Sequence, residues 1–240
     1  MDLPGIEVRK VERCASTNTV LLAEGKPNVL LAADEQTAGR GRRGRRWHSA
    51  PGAGITFSLA VEVKRAMTGL SLVAGVAAAR ALRVLGVEQV ALKWPNDLLV
   101  DGAKLGGILV ETRGRLAVIG IGINYRRDPA LETRLRRPLA ALDQFIRVER
   151  DRVIERIATS LREALAAFAE HGLEALRAEW EQLHAHAGKR LRVRLADGRV
   201  LTGIAHGLDG DGGLRLQTRA GLRAVKSGTV LIGKMRARQA

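Results

Sequence analysis

The sequence predicts an α+β domain followed by a small all-β domain. Along the first 187 residues, apolar segments of strand length alternate with Ala- and Leu-rich segments of helix length. From residue 188 onward, short apolar segments are separated by Asp-Gly and Ser-Gly pairs, which is typical of a small β-barrel. A length of 240 residues accommodates one medium and one small domain. We therefore divide the chain into residues 1–187 and 188–240.

The individual elements follow from the apolar pattern. Residues 70–85 are rich in Ala, Leu and Val and are followed by Gly86, which predicts a buried helix. Residues 153–185 carry apolar side chains at helical spacing, and Gly172 divides them into two helices. Strand-forming residues predict strands over residues 29–35, 55–63, 90–94, 98–100, 105–112 and 116–123. The pair Asp101-Gly102 predicts a hairpin turn.

The composition limits the possible functions. Lys and Arg total 40 against 25 Asp and Glu, a net charge of +15. This charge allows nucleic-acid binding, but it is spread along most of the chain, and 3% aromatic residues offer few surfaces for base stacking. A basic chain equally serves anionic small molecules or an acidic protein partner. The single cysteine, Cys14, excludes an internal disulfide and a multi-cysteine zinc site, and it favours a cytoplasmic location.

No part of the sequence predicts a membrane segment. The longest apolar stretch, residues 70–79, stops at Arg80 and is far shorter than the ~18 residues that a spanning helix needs. The first ten residues lack the apolar region of a signal peptide. We therefore expect no contact with a membrane.

The most unusual segment is GRGRRGRRW at residues 39–47, with five arginines and three glycines. It belongs to a predicted long loop over residues 36–54, and long loops in compact domains are usually functional or disordered. Two interpretations stay open: a solvated or nucleic-acid-binding basic loop, and a loop that orders over an anionic ligand. Arginine binds carboxylate and phosphate groups bidentately, glycine lets the backbone approach a ligand, and Trp47 could stack on a flat ring.

Four shorter motifs place polar side chains at the ends of predicted elements. STN at residues 16–18 is either a helix N-cap or a partner for a small polar head group. KWPND at residues 93–97 ends in an ordinary turn pair, or it places a carboxylate where it holds a metal or orients an amine. KLGGILVE at residues 104–111 begins with a hairpin lysine beside two glycines. GIGIN at residues 120–124 matches half of a dinucleotide-binding fingerprint but lacks its third glycine and following helix.

Together and in this order, the five motifs resemble those of the biotin protein ligases, and the resemblance covers the whole chain. It implies a mixed sheet with helices, related to class II tRNA synthetases and shared by biotin and lipoate ligases, followed by an SH3-like barrel. The implied activity joins biotin to ATP to give biotinyl-5′-AMP and pyrophosphate. Biotin is then transferred to a lysine of a biotin carboxyl carrier domain of acetyl-CoA carboxylase or a related carboxylase. Biotin, ATP and Mg²⁺ are the implied small-molecule partners.

The resemblance also implies site residues. The implied catalytic residues are Lys104, Arg42 and Asp97. The implied biotin-binding residues are Ser16, Thr17, Asn18, Gln36, Gly39, Arg40, Gly41, Arg42, Lys104 and Gly107. The implied ATP-binding residues are Arg40, Arg42, Arg45, Trp47, Asn96, Lys104 and Asn124. Within these sets, residues 16–18 would bind the ureido ring, Lys104 would bridge carboxylate and phosphate, and Asp97 would handle the incoming amine. Asn124 would help to hold Mg²⁺.

Two further expectations follow from the same resemblance. Only 15 residues precede Ser16, so we expect a short form that lacks the DNA-binding domain of regulatory members and binds no specific DNA. We expect a monomer or a homodimer.

The alternatives to this function are a lipoyl ligase, which the arginine-rich segment and KWPND argue against, and a basic nucleic-acid-binding module. The latter would bind with steep salt dependence and without ATP chemistry.

Overall fold

The computed structural model describes residues 1, 3–48, 51–63 and 68–231. They divide into two compact units, the first ending at Ala185 and the second beginning at His186, two residues before the boundary placed from the sequence. Residues 49–50 of the predicted loop and residues 232–240 of the predicted second domain lie outside the described residues. Each unit has a sheet of its own.

Seven strands form the sheet of the first unit. They are β1 (Glu7–Cys14), β2 (Val29–Gln36), β3 (Gly54–Glu62), β4 (Val90–Lys93), β5 (Asp97–Val100), β6 (Ala103–Arg113) and β7 (Leu116–Asn124). Their order across the sheet is β1-β2-β3-β7-β6-β5-β4. β1 is parallel to β2, and the other neighbours are antiparallel, so the predicted mixed sheet is confirmed.

Five helices accompany this sheet. They are α1 (Thr17–Glu24), α2 (Leu70–Val84), α3 (Pro129–Leu135), α4 (Arg150–His171) and α5 (Glu174–Leu183). The predicted buried helix is α2, and the predicted pair divided by Gly172 is α4 and α5, which pack with each other and with α2. Gly172 adopts φ +70°, a conformation that glycine takes without strain, and its N–H bonds to the Phe168 carbonyl at the end of α4. None of the helices among the described residues is both long and apolar enough to cross a bilayer.

Neither β1 nor α3 was predicted from the sequence. β1 lies at the edge of the sheet and is mostly exposed and charged, so it carries little apolar signal. α3 has no buried residue and depends on local chemistry instead. Asp128 caps its first turn by accepting a hydrogen bond from the Leu131 N–H, and Pro129 occupies the first helical position.

The two faces of the sheet differ because side chains alternate along the central strand β7. Ile119 and Ile121 point to one face, and Gly120 and Gly122 point to the other. α2 packs on the isoleucine face, where it contacts Ile108 of β6, the residue paired with Ile121. The glycine side of the sheet carries no bulk at these positions, and it is the side on which the candidate site lies.

α1 covers one end of this second face. Its Leu21 is fully buried in a cluster with Val29, Leu31, Ala60 and Val118. Removing these apolar side chains from water stabilises the helix against the sheet by about 1.5–3 kcal/mol for each large residue. The helix is thereby fixed with its first turn, residues 17–20, next to Gly120 of β7.

The second unit contains a five-stranded antiparallel sheet. Its strands are β8 (Arg190–Arg194), β9 (Val200–Leu208), β10 (Leu214–Thr218), β11 (Gly221–Val225) and β12 (Thr229–Leu231). They follow the order β11-β10-β9-β8-β12. Along β8, Leu191 and Val193 are buried while the intervening arginines are exposed. This small all-β unit confirms the β-rich pattern of the sequence and fits an SH3-like barrel.

The packing of α5 gives a first testable prediction. Trp180 is 1% exposed, and its ring lies 4.6 Å from that of His184. We expect Trp180→Ala to lower the free energy of unfolding of the first unit by about 3–5 kcal/mol because it leaves a large cavity. Urea denaturation followed by tryptophan fluorescence measures this, since Trp47 and Trp94 remain in the same unit.

Val84→Ala is the matched control, because Val84 lies on the neighbouring helix α2 and is 66% exposed. Its effect should stay within about 0.5 kcal/mol. Equal effects of the two substitutions would contradict the packing described for α5.

Candidate active site

The candidate site lies over the glycine face of the first sheet. A Cβ atom at Gly120 would lie 3.0 Å from Cγ of Asn18, and one at Gly122 would lie 2.5 Å from Cζ2 of Trp47. Both distances are too short for a real Cβ contact, so the two glycines make room for Asn18 and Trp47. The GIGIN motif is therefore a strand in which small residues line the floor of a site.

The STN motif forms one end of this site. Ser16 is the N-cap residue of α1, but its side chain makes no capping hydrogen bond, and it is 3% exposed. Thr17 donates from its N–H to Oε1 of Gln36 at 2.8 Å, and its hydroxyl lies 2.6 Å from that of Ser58. These are neutral hydroxyl and amide groups in a buried place, which suits an uncharged polar ligand.

Asn18 is held inside the protein at both ends of its amide. Its Nδ2 donates to the Leu109 carbonyl at 3.2 Å and to Oε2 of Glu111 at 2.9 Å. Its Oδ1 accepts from the Ser58 hydroxyl at 2.6 Å. The predicted contact of Asn18 with the ureido ring stays a prediction, and the observed partners give Asn18 a role in shaping the pocket wall.

The arginine-rich segment folds back on itself next to this pocket. The Gly41 N–H donates to the Arg45 carbonyl at 2.7 Å, and the Trp47 N–H donates to the Gly39 carbonyl at 2.9 Å. Between them, a short 3₁₀ turn includes Arg43 with φ +58°. The segment within the predicted long loop is thus a small hairpin, which we call the arginine hairpin (residues 39–47).

The guanidinium groups of this hairpin have different surroundings. Arg40 forms an ion pair with Glu111 at 2.6 Å. Arg42 is half-buried, and its Nη1 lies 3.4 Å from Oδ1 of Asn96, a weak hydrogen bond. Burial, with the charge of Arg43, lowers the pKa of Arg42 from its usual value, although Asp97 opposes this shift. Arg45 is exposed.

Trp47 ends the hairpin and lies over Gly122. Its indole is half-buried, and Nζ of Lys104 lies 5.7 Å from the ring centroid, within the range of a cation–π contact. Its Nε1 is buried and has no hydrogen-bond partner among the described residues. A buried donor without a partner is costly, so the position favours a ligand that accepts a hydrogen bond. A cleft beside the ring is lined by Asn124, Leu131 and Ala140.

Two lysines share one carboxylate in the centre of the site. Lys104 forms a close ion pair with Asp97, and Nζ of Lys93 lies 3.9 Å from Oδ2 of the same side chain. All three side chains are less than one-fifth exposed. Burial lowers the pKa of Lys93, while Asp97 opposes the shift.

The backbone of β6 directs Lys104 towards this carboxylate. Its pairing with β5 shifts register so that Leu98 faces Gly106 and Leu99 faces Lys104. The irregularity is a β-bulge, a feature that redirects side chains near functional sites. Gly107 gives the ammonium group its space, because a Cβ there would lie 3.1 Å from Nζ of Lys104.

Hydrogen bonds to backbone carbonyls orient the side-chain amides of Asn96 and Asn124. Nδ2 of Asn96 donates to the Ile108 carbonyl at 2.8 Å. Nδ2 of Asn124 donates to the carbonyls of Lys104 and Ala140 at 3.0 and 2.9 Å. Within the described part of the chain, no group of three His, Cys, Asp or Glu side chains could hold a metal ion. Both hydrogen bonds of Asn124 are donated by Nδ2, so its acceptor atom Oδ1 is available to a ligand.

The structure brings the five motifs together on one side of the first sheet. Three residues in this region had no role predicted from the sequence, namely Ser58, Lys93 and Glu111. Ser58 carried a usable signal, since it is a polar residue between Phe57 and Leu59 in a mostly apolar strand. Lys93 and Glu111 lay within quoted motifs, but their partners come from other elements and could not be read from spacing.

Two family models match this chain. A model described as "Biotin/lipoate A/B protein ligase family" matches residues 10–124. A model described as "Biotin protein ligase C terminal domain" matches residues 186–233. The two matches correspond to the two compact units.

Individual proteins are also similar to this chain. The bifunctional ligase/repressor BirA of Escherichia coli is 36% identical, over 84% of this chain and 66% of its own length. The chain thus spans about two thirds of that relative. The biotin--[acetyl-CoA-carboxylase] ligase of Mycobacterium tuberculosis is 33% identical, over 92% of this chain and 87% of its own. The structure of the biotin protein ligase from Aquifex aeolicus with biotin and ATP aligns with a TM-score of 0.84 and 27% identity, covering 94% of this chain and 97% of that one.

The contact between Gly122 and Trp47 gives a second testable prediction. We expect Gly122→Ala to displace the indole, because the added Cβ has no room against the ring. Acrylamide quenching of tryptophan fluorescence should increase, since Trp94 and Trp180 are buried and contribute little.

Gly210→Ala is the control, because a Cβ at Gly210 meets no atom within 4 Å. It should leave the quenching unchanged. Unchanged quenching in Gly122→Ala would show that this glycine does not seat the indole.

Proposed function

This chain belongs to the biotin protein ligase family, and we propose that it is an ATP-dependent biotin protein ligase. It forms biotinyl-5′-AMP and pyrophosphate and then transfers biotin to a lysine of a biotin carboxyl carrier domain of acetyl-CoA carboxylase or a related carboxylase. One observation supports this most directly. A neutral polar pocket, a cluster of cations and a half-buried indole lie side by side on one face of the sheet.

The first half-reaction brings two anions together, because the carboxylate of biotin attacks the α-phosphate of ATP. At 4 Å and an effective dielectric constant of 20, one such repulsion is about 4 kcal/mol. We propose that the charges of Lys104 and Arg42 offset it. Fixed cations of this kind also stabilise the charge that develops in the transition state. We propose that Lys104 bridges the two anions, since an ammonium group has three donors and can keep Asp97 as one partner.

The neutral pocket suits the ureido ring, which has one carbonyl and two N–H groups. Ser16 and Thr17 contribute hydroxyl groups, and Gln36 contributes an amide. Gly39 and Gly41 allow the hairpin backbone to lie close to the ligand. At Gly39 a side chain is not tolerated, because a Cβ would lie 2.7 Å from the Trp47 carbonyl oxygen.

We propose that the nucleotide lies on the Trp47 side of the cations. The unpartnered Nε1 of Trp47 suits an acceptor on the adenine or ribose, and the exposed Arg45 suits the pyrophosphate. Asn96 would add a polar contact. Mg²⁺ would accompany the ATP as part of the substrate, with Oδ1 of Asn124 as its protein ligand, since Mg²⁺ prefers oxygen donors and takes most of them from phosphates and water.

Asp97 serves the second half-reaction. The incoming lysine amine must lose a proton to attack the adenylate, and a carboxylate within reach can accept that proton or orient the amine. Asp97 is held from two sides by Lys93 and Lys104, so its position is fixed before the amine arrives. We place this reaction in the cytoplasm, where the free thiol of Cys14 stays reduced.

The proposed activity is tested with a purified carrier domain. We expect biotin, MgATP and the protein to label one lysine of the carrier, as detected with streptavidin. The same reaction with lipoate in place of biotin, followed by mass spectrometry of the carrier, tests the lipoyl ligase alternative. ATP-independent labelling, or labelling by lipoate alone, would contradict the proposal.

Lys104→Gln separates the two half-reactions. Because Lys104 offsets the repulsion between the biotin carboxylate and the α-phosphate, we expect pyrophosphate release to slow by about 10²- to 10³-fold. Transfer from preformed biotinyl-5′-AMP should slow less. The matched control is Lys26→Gln, which removes an exposed ion pair with Glu7. Pyrophosphate release at the wild-type rate in Lys104→Gln would refute the role given to this lysine.

A further inference from the structure

Six polar side chains form a ring of contacts at the base of the arginine hairpin. We call it the hairpin-base ring. Its members come from α1, from the strands β2, β3 and β6, and from the hairpin itself: Thr17, Asn18, Gln36, Ser58, Arg40 and Glu111. The ring closes through the chain, because Gln36 and Arg40 are only four residues apart.

Glu111 is the member that joins the charged and the neutral parts of this ring. Its Oε1 accepts from Nη2 of Arg40 at 2.6 Å, and its Oε2 accepts from Nδ2 of Asn18 at 2.9 Å. The glutamate is 25% exposed and the arginine 47%, so the pair is partly shielded from water. Each oxygen therefore holds a different element, one the hairpin and the other the first turn of α1.

These contacts have a consequence for the hairpin. Five arginines within nine residues repel one another, and backbone hydrogen bonds from Gly41 and Trp47 join the two arms of the hairpin. A carboxylate against Arg40 offsets part of this repulsion and ties the hairpin to β6. Hydrogen bonds to charged groups are the stronger class, so this tie is worth more than an exposed polar contact.

We propose that Glu111 is a positioning residue for biotin binding, which holds the hairpin and Asn18 against the pocket before the ligand arrives. The Arg40 guanidinium then serves to close the hairpin rather than to bind a substrate anion, and that second task belongs to Arg42 and Lys104. This inference rests on the proposed function, because it concerns the biotin pocket of that same site.

Glu111→Gln tests the contacts of Glu111 with Arg40 and Asn18 with little change in side-chain shape. An amide has one acceptor oxygen, so it can serve Arg40 or Asn18 but not both. We expect the dissociation constant for biotin, measured by calorimetry without ATP, and the KM for biotin to rise about tenfold. The KM for ATP and kcat at saturating substrates should change less than about twofold. Backbone hydrogen exchange in residues 37–47 of the ligand-free protein should become faster.

Arg40→Gln and the double variant complete the cycle. If the two residues act through each other, Arg40→Gln has the same signature as Glu111→Gln, and the double variant is no worse than either. Glu62→Gln is the matched control, since Glu62 lies in the same sheet and pairs with Arg115 at an exposed position. It should leave all five measurements unchanged. Exchange in the second unit, residues 190–225, should be the same in every variant.

Three results would overturn the inference. If Glu111→Gln keeps the wild-type affinity for biotin and the wild-type hydrogen exchange of the hairpin, the contacts of Glu111 do not position the hairpin. A large loss of kcat in Arg40→Gln, with hydrogen exchange of the hairpin unchanged, would show that Arg40 binds the substrate anions. Additive losses in the double variant would show that the residues act separately. Failure of the wild-type protein to form biotinyl-5′-AMP would instead contradict the proposed function, and hydrogen exchange would still test the tie.

Discussion

The candidate site depends on the alternation of large and small residues along β7. Ile119 and Ile121 fill the core beneath α2, while Gly120 and Gly122 leave space on the opposite face. One strand is thus both a core element and the floor of a site. The glycines cost local stability, since glycine loses more backbone entropy on folding than other residues and buries no side chain. The isoleucines and the pairing on both edges of β7 offset that cost.

The second constraint is electrostatic. Lys93, Lys104 and Arg42 gather around one carboxylate, and the pKa values of Lys93 and Arg42 are lowered by burial. A site in this condition gains from any anion that enters, because the ligand supplies the charge that the protein lacks. Two carboxylates, Asp97 and Glu111, oppose the accumulated positive charge at separate points. Part of the positive charge is therefore concentrated at the candidate site, which the net charge of +15 alone does not show.

Much of the fold could be predicted, because its central elements carry continuous apolar patterns. This holds for α2, for β7 and for the helices divided by Gly172. β1 could not be predicted, since an exposed edge strand has no such pattern. For the candidate site, the motifs could be found in the sequence because each lies within a few consecutive residues. The contacts of Ser58 and Glu111 with Asn18 join residues 40 and 93 positions apart, and no local pattern encodes them.

The glycines of GIGIN show why spacing alone does not identify a site. The same residues match half of a dinucleotide-binding fingerprint, in which glycines precede a helix whose N-terminus receives phosphate. Here Gly120 and Gly122 lie inside an antiparallel strand, and the next element in the chain, α3, begins at Pro129, after β7 has ended. Their function is steric: they admit an amide from α1 and an indole from the arginine hairpin. The arginine and lysine side chains of the site come instead from the arginine hairpin, β4 and β6, whereas β7 contributes none.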